Sequence, residues 1–379
     1  MIYFDNAATT GKKPLEVKKA VMSALNNYSA NPGRSGHLLS NETASRVYKC
    51  REKVGLFFNA DAENVIFTAN CTAAINFVIK GVLKEGDHAI ISSLEHNAVA
   101  RPIYKLYKDG IIEYDVCPII MGDSEATLRS LKRLIKENTK LVVFTHASNV
   151  TGEIMPIYEI GKLCHQHGIL FCVDAAQTAG VLPINVKNDI DFLCIAAHKG
   201  LYAPMGTGIL IAEKPIENTI IEGGTGSFSS VLEQPLDTPE RLESGTVNVP
   251  GIFGVSAGID FIKTRKTEAI YEHELRLIRK IYDDFANMEN VILYADCPII
   301  KKYVPVLSFN IKNRTSTEVA EYLSKQGIAV RAGLHCAPLA HKTVGTIDTG
   351  TVRISTSAFN TSEEVRIFVS KIYKFAKEI

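Results

Sequence analysis

From about residue 60 the chain alternates short apolar runs with longer segments whose apolar residues return at helical spacing. The runs at 65–69, 88–93, 111–116, 140–146, 168–176 and 191–197 are rich in Val, Ile and Phe and predict strands. Helical patterns fall between them over 72–84, 98–108, 124–137 and 157–167. Strands that are apolar throughout must be covered on both faces, and the intervening helices supply that cover. The pattern therefore predicts an α/β fold with a mostly parallel sheet in a large domain. Functional groups are expected at the carboxyl ends of its strands.

Residues 213–250 break the alternation. They are rich in Gly, Ser, Thr and Pro and read as an ordered functional loop or, alternatively, a flexible linker. One long helical stretch follows, from Ile252 to about Met288, with Ile259, Ile262, Ile270, Leu275, Ile278 and Tyr282 near a common period. VPVLSFNI, a helix at 316–326, IAVRA, TVRIST and a final amphipathic helix predict a small α+β domain. The expected division is a segment 1–14 joining the small domain, a large domain over 15–255, and a small domain over 256–379 that opens on the long helix.

Bulk properties narrow the function classes. A net charge of +1 over 379 residues gives no reason to expect nucleic acid or an anionic membrane as partner. No apolar run is long enough to span a bilayer, and MIYFDNAATT lacks the basic start and apolar core of a secretory signal. The eight cysteines follow no regular framework, which fits a reducing cytoplasm. Cys164, His165 and His167 close a helix, where a histidine complements the helix dipole, so no metal site is expected there. Cys336, His335 and His341 lack a second ligand pair and predict no zinc.

The chemistry concentrates in a few segments. AAHKGLYAPMGTG places Lys199 just past a buried strand. Desolvation there lowers a lysine pKa toward the range in which the free amine attacks carbonyls, the chemistry of a Schiff-base lysine. FCVDAAQTAG sets Asp174 at the end of the most apolar strand, where a carboxylate needs a cationic partner. FTANCTAAIN turns from strand to helix at Cys71–Thr72, offering amides and a hydroxyl to a phosphate, or a plain cap by Thr72. SSLEHNAV puts His96 past a strand end, and VRAGLHCAPLAH carries Cys336 in a small-residue loop beside His335, with Arg331 upstream and Arg353 downstream. No G-x-G-x-x-G follows an early strand, which argues against a nucleotide-binding oxidoreductase.

Taken together, D-x-x-Q, H-K and R-x-G-x-H-C-A at these separations resemble the cysteine desulfurases of the class V aminotransferase family. The likeness runs from YFDNAATT to RISTSAFNT, and RAGLHCAP is similar to the group II branch that includes Suf-type enzymes and selenocysteine lyases. The resemblance implies a pyridoxal 5′-phosphate (PLP) enzyme of transferase fold type I that converts L-cysteine, or L-selenocysteine, to alanine. It implies that Lys199 carries the cofactor, Asp174 holds the ring nitrogen, Gln177 bonds the ring hydroxyl and His96 stacks on the ring. Thr72, Cys71 and His198 would bind the phosphate, joined by Thr246 from a second subunit of a homodimer. Asn149, Arg353, Arg331 and His37 would face the substrate, Arg353 clamping its carboxylate. Cys336 would take the sulfur as a persulfide and pass it to an acceptor thiol or protein, as in sulfur mobilisation for iron–sulfur clusters. His335 and the two arginines would favour its thiolate. The same scaffold also serves C–S β-lyases and true aminotransferases. Two positions depart from the family pattern: Ala196 replaces a serine, and Cys71-Thr72-Ala73 replaces T-T-E.

Overall fold

The computed structural model describes residues 1–33, 36–226 and 230–377. A short strand β1 (Ile2–Tyr3) leads to helices α1 (Leu15–Asn27) and α2 (Leu38–Phe58). Strand and helix then alternate through β2 (Val65–Thr68), α3 (Cys71–Val82), β3 (His88–Ser92), α4 (Asn97–Lys108), β4 (Glu113–Cys117), α5 (Ser124–Leu134), β5 (Thr139–Thr145), α6 (Ile157–Gln166) and β6 (Leu170–Asp174). Strands β7 (Phe192–Ala196) and β8 (Gly208–Ala212) complete the sheet, in the order β2-β8-β7-β6-β5-β3-β4. Strand β8 runs antiparallel to both of its neighbours, β2 and β7, and the other pairs are parallel.

Alternation across the pleat explains why the inner strands are apolar on both faces, whereas the edge strand β4 keeps Glu113 exposed. Leu141 and Val143 of β5 join one buried cluster, whereas Val142 and Phe144 join the other. Each such side chain, fully withdrawn from water, contributes roughly 1.5–3 kcal/mol.

The second half holds α7 (Val249–Arg265), α8 (Thr267–Ala286), β9 (Val291–Leu293), β10 (Val306–Ile311), α9 (Ser316–Lys325), β11 (Ile328–Ala329), β12 (Arg331–Gly333), α10 (Pro338–Thr343), β13 (Thr351–Ser355) and α11 (Ser362–Lys377). A four-stranded antiparallel sheet, β12-β13-β10-β9, packs Leu307, Phe309, Val352 and Ile354 against Phe285 and Phe368 of α8 and α11. Strand β1 pairs in parallel with β11.

One expectation is corrected here. The single helix expected over 252–288 is two, because Lys266 adopts φ 67 and ends α7. Position 255 falls inside α7, which packs on α1 and α2. Strand β8 was not predicted from the pattern, since its five apolar residues follow a Gly/Pro turn and precede no helix. No described residue between 213 and 248 lies in a helix or strand. Among the described residues, no helix is long and apolar enough to cross a membrane.

Candidate active site

The carboxyl ends of β3, β5, β6 and β7 and the first turns of α3 and α4 converge on one cavity, which β12 and β13 also reach. Lys199, Asp174, Gln177, His96, Cys71, Thr72, His198, Asn149, Arg331 and Arg353 all line it. Ten separate sequence expectations thus meet in one place.

Lys199 follows β7 by three residues, and no described residue hydrogen-bonds its amine. Burial lowers its pKa, Arg353 and Arg331 push the same way, and Asp174 opposes them. Its loop is clamped by the N-terminal segment. Thr10 donates through its amide to the His198 carbonyl (3.2 Å) and through its hydroxyl to the Lys199 carbonyl (3.3 Å). The Lys13 ammonium donates to the same His198 carbonyl at 2.8 Å. Gly200 is required by packing, because a Cβ there would lie 2.3 Å from the Ala179 carbonyl oxygen.

Asp174 ends β6 and is 3% exposed. Its Oδ1 accepts from the Ala176 amide (2.9 Å) and from the Cys71 thiol (3.5 Å). Burial pushes that thiol's pKa well up, so Cys71 stays a neutral donor. Gln177 donates its amide to the Ala7 carbonyl at 3.1 Å.

His96 caps α4, its Nδ1 accepting from the Ala98 amide at 3.0 Å, which leaves the ring proton on Nε2. Burial, reinforced by Lys199, Arg331 and Arg353 against Asp174, lowers its pKa to about 4, so the ring is neutral at pH 7. The cap of α3 is Asn70, which accepts from the Ala73 amide at 2.9 Å, and not Thr72. The Cys71 and Thr72 amides, at the first two helical positions, have no intrahelical acceptor. In the same cavity lining His198 keeps a buried Nδ1 without a partner among the described residues.

Cys336 is exposed and lines a groove that adjoins the cavity at Thr72 and His96. His335 and Cys336 both take left-handed backbone conformations, φ 50 and 57. Two amides pin this loop: Asn149 Nδ2 donates to the His335 carbonyl (2.8 Å) and the Asn97 amide to the Cys336 carbonyl (2.7 Å). The cation beside Sγ is Arg331, at 3.5 Å. His335 does not act as a second one. It is bonded to Thr351 Oγ1 (3.0 Å), and burial with Arg353, His341 and Arg331 nearby holds its pKa far below the usual range.

Arg353 is 1% exposed and pairs across β12 and β13 with Arg331. Its fork is partly used, by Asp5 (3.0 Å) and the Asn149 carbonyl (3.1 Å), while its buried Nε has no partner. Thr246 and His37 do not reach the cavity of their own chain. Thr246 lines another cavity with Ala73 and Phe77 on the outer side of α3. His37 caps α2 through Ser40, and Ser40 bonds Asn31, which also donates to Thr246.

Sequence reasoning missed Asp5, Lys13, Asn97 and Glu95. Glu95 is fully buried beside His96, bonded to Ser92 Oγ and the Thr145 amide. The string YFDNAATT at the start was the one available signal for Asp5, since it puts an acid and two hydroxyls in a single turn. Among the described residues, no group of three or more His, Cys, Asp or Glu side chains could hold a metal ion.

The cavity fits PLP on its own chemistry. It offers an unbonded amine of lowered pKa, a buried carboxylate suited to a pyridinium, a neutral ring, two free helix amides and an unpartnered imidazole nitrogen.

The sequence profile of the Aminotransferase class-V family matches residues 2–368. A relative named "Probable cysteine desulfurase" from Methanothermobacter thermautotrophicus is 32% identical over 389 aligned positions, covering 99% of this chain and 94% of the relative. A cysteine desulfurase of Shigella flexneri is also 32% identical, over 99% of this chain and 93% of its own. The solved apo structure of a cysteine desulfurase from Thermococcus onnurineus superposes with TM-score 0.89 at 32% identity, covering 100% of this chain and 95% of that one. The Escherichia coli cysteine desulfurase CsdA follows with TM-score 0.86 at 27% identity, over 99% and 94% of the two chains. The expected transferase fold type I is the fold of these neighbours. The chain belongs to the class V aminotransferases, a family of PLP-dependent enzymes.

Proposed function

We propose that this chain is a PLP-dependent cysteine desulfurase that converts L-cysteine to L-alanine and loads the released sulfur on Cys336. The observation that carries this reading is an exposed thiol beside the Lys199 cavity, 3.5 Å from the Arg331 guanidinium, in a loop pinned at two carbonyls. A C–S β-lyase or an aminotransferase needs no such nucleophile.

In this reading Lys199 holds the cofactor and Asp174 stabilises the charge on its ring nitrogen. His96 covers the ring, Gln177 meets its hydroxyl, and the Thr72 side chain, the Cys71 amide and His198 take the phosphate. When bound, PLP supplies an electron sink for the carbanion left by loss of the substrate α-proton. The Lys199 amine, its pKa lowered by burial, takes that proton and returns it. Arg353 and Asn149 orient the substrate carboxylate, with Arg331 adding positive charge. The Cys336 thiolate attacks the substrate sulfur. An S–S bond forms as the Cβ–S bond breaks, and the electron pair left on Cβ takes a proton, giving alanine and a Cys336 persulfide. An acceptor thiol then removes the outer sulfur, for destinations such as iron–sulfur clusters. L-selenocysteine would meet the same residues.

We assign Thr246 and His37 to the second site of a homodimer. They share one surface of the chain, outside its own cavity, and the nearby segment exposes Ile221, Val231, Leu232 and Leu236. Eight unpaired cysteines support a reducing, cytoplasmic setting. The test is the purified protein with PLP, L-cysteine and a reductant. A yellow protein that yields alanine and sulfide in equal amounts is expected. Pyruvate and ammonia would instead identify a β-lyase, and a protein that PLP cannot turn yellow would overturn the assignment.

A further inference from the structure

Helices α3 and α4 begin side by side at the cavity, pack against each other and run outward from it. Between them lies the groove that opens at Cys336. Its walls carry Asn76 and Lys80 from α3, and Arg101 and Lys105 from α4. These positions fall one and two turns beyond Thr72 and Asn97, so side chains four residues apart form two rails along it. Among the described residues, no carboxylate lines the groove. Lys105 is already paired with Asp109, but the exposed Lys80 and Arg101 make no ion pair with any described residue.

We infer that this groove docks an acidic, extended segment of a sulfur-acceptor protein, with the segment's cysteine at Cys336 and its carboxylates on Lys80 and Arg101. The inference rests on the desulfurase reading and names its partner class. Length favours a polypeptide over a small thiol. The eight residues from Thr72 to Lys80 span ~12 Å at ~1.5 Å per residue, which matches about four residues of extended chain at ~3.3 Å each. A free amino-acid thiol would leave the outer cations unused. Charge favours an acidic partner, because uncompensated cations lining a groove raise the local concentration and docking rate of a complementary chain. The transfer balances without any further reductant. The acceptor thiolate attacks the outer sulfur of the Cys336 persulfide, the S–S bond to Cys336 breaks, and Cys336 leaves as thiolate. The acceptor has by then lost its own proton to water.

The test compares the PLP-loaded parent with Lys80→Glu/Arg101→Glu, and with Lys80→Gln/Arg101→Gln as the milder pair. The probes are a short synthetic peptide with one cysteine followed by a run of glutamates, its glutamine counterpart, and dithiothreitol. Transfer is read as sulfur gained by the peptide in mass spectrometry. Binding is read separately, by fluorescence anisotropy of labelled Cys→Ser peptides. The parent is expected to bind and load the acidic peptide about tenfold or more better than the neutral one, an advantage that shrinks in the Gln pair, vanishes in the Glu pair and falls with salt. Alanine formation with dithiothreitol stays at the parental rate in both variants. Equal handling of the two peptides by the parent, or an undiminished acidic preference in the Glu pair, would overturn the inference. So would a single-stranded RNA that binds the groove as tightly as the acidic peptide, since the surface would then read any polyanion. If no protein makes alanine even with dithiothreitol, the desulfurase reading fails first and takes the groove's role with it.

Discussion

A carboxyl group enclosed as fully as Glu95 keeps its proton at neutral pH. Burial, with Asp174 adding to it, pushes its pKa from 4.5 to about 8, against hydrogen bonds from Ser92 and Thr145 that pull it down. The unfolded chain gives up that proton at its ordinary, lower pKa, while the folded chain holds it. Across this window the unfolded state binds fewer protons, so Glu95 costs stability increasingly as pH rises from about 5 to about 8. Glu95→Gln removes this dependence. Its melting temperature relative to the parent should climb between those two pH values, and a flat difference would contradict the protonated state. Single residues were also where the sequence was most readable. Lys199 and Asp174 stood out because a charge at the end of an apolar strand demands a use. His335 was misread because its bond to Thr351, sixteen residues on, is a product of tertiary packing.

At the scale of elements, the Cys336 loop shows how a nucleophile is aimed without being buried. Two successive left-handed residues cost conformational energy; a turn bond from the Ala337 amide to the Leu334 carbonyl (2.8 Å) spans them, and contacts from outside the loop hold their carbonyls. Those contacts come from Asn149, just past β5, and Asn97, at the start of α4. Asn149→Ala should lower sulfur transfer to Cys336 by roughly tenfold, in line with the cost of a misplaced reacting group. The absorption of bound PLP should persist, and unchanged transfer would show that the loop holds its own shape. The inner strands with helical partners were legible for the same reason that they are stable, namely apolar residues on both faces. Strand β8 and the break at Lys266 were not. The first is a short apolar run with no helix after it. The second is a lysine in the left-handed region, to which no local pattern points.

For the whole molecule, the two sheets divide the work. The seven-stranded sheet presents Asp174 and Lys199 at its strand ends, and the antiparallel sheet brings Arg331 and Arg353 to the same cavity and Cys336 to the groove that adjoins it. Asp5 links them, since its segment clamps the Lys199 loop and its carboxylate holds Arg353. This convergence was beyond sequence reasoning, which could list the residues but not the pairing of β12 with β13 that sets two guanidinia side by side. The dimer assigned above makes a further prediction. Light scattering should find two chains per particle, and Thr246→Ala should weaken PLP retention several-fold while leaving each chain's own cavity lining intact. A monomer that retains PLP fully would contradict it. The most direct test of the central claim is a single turnover. The PLP-loaded protein is mixed with one equivalent of L-cysteine and no reductant, and alanine and the mass of the Cys336 peptide are then measured. One added sulfur on that peptide is expected for each alanine formed, and neither product from Cys336→Ala, which should still bind PLP. Alanine from Cys336→Ala at the parental level would contradict it.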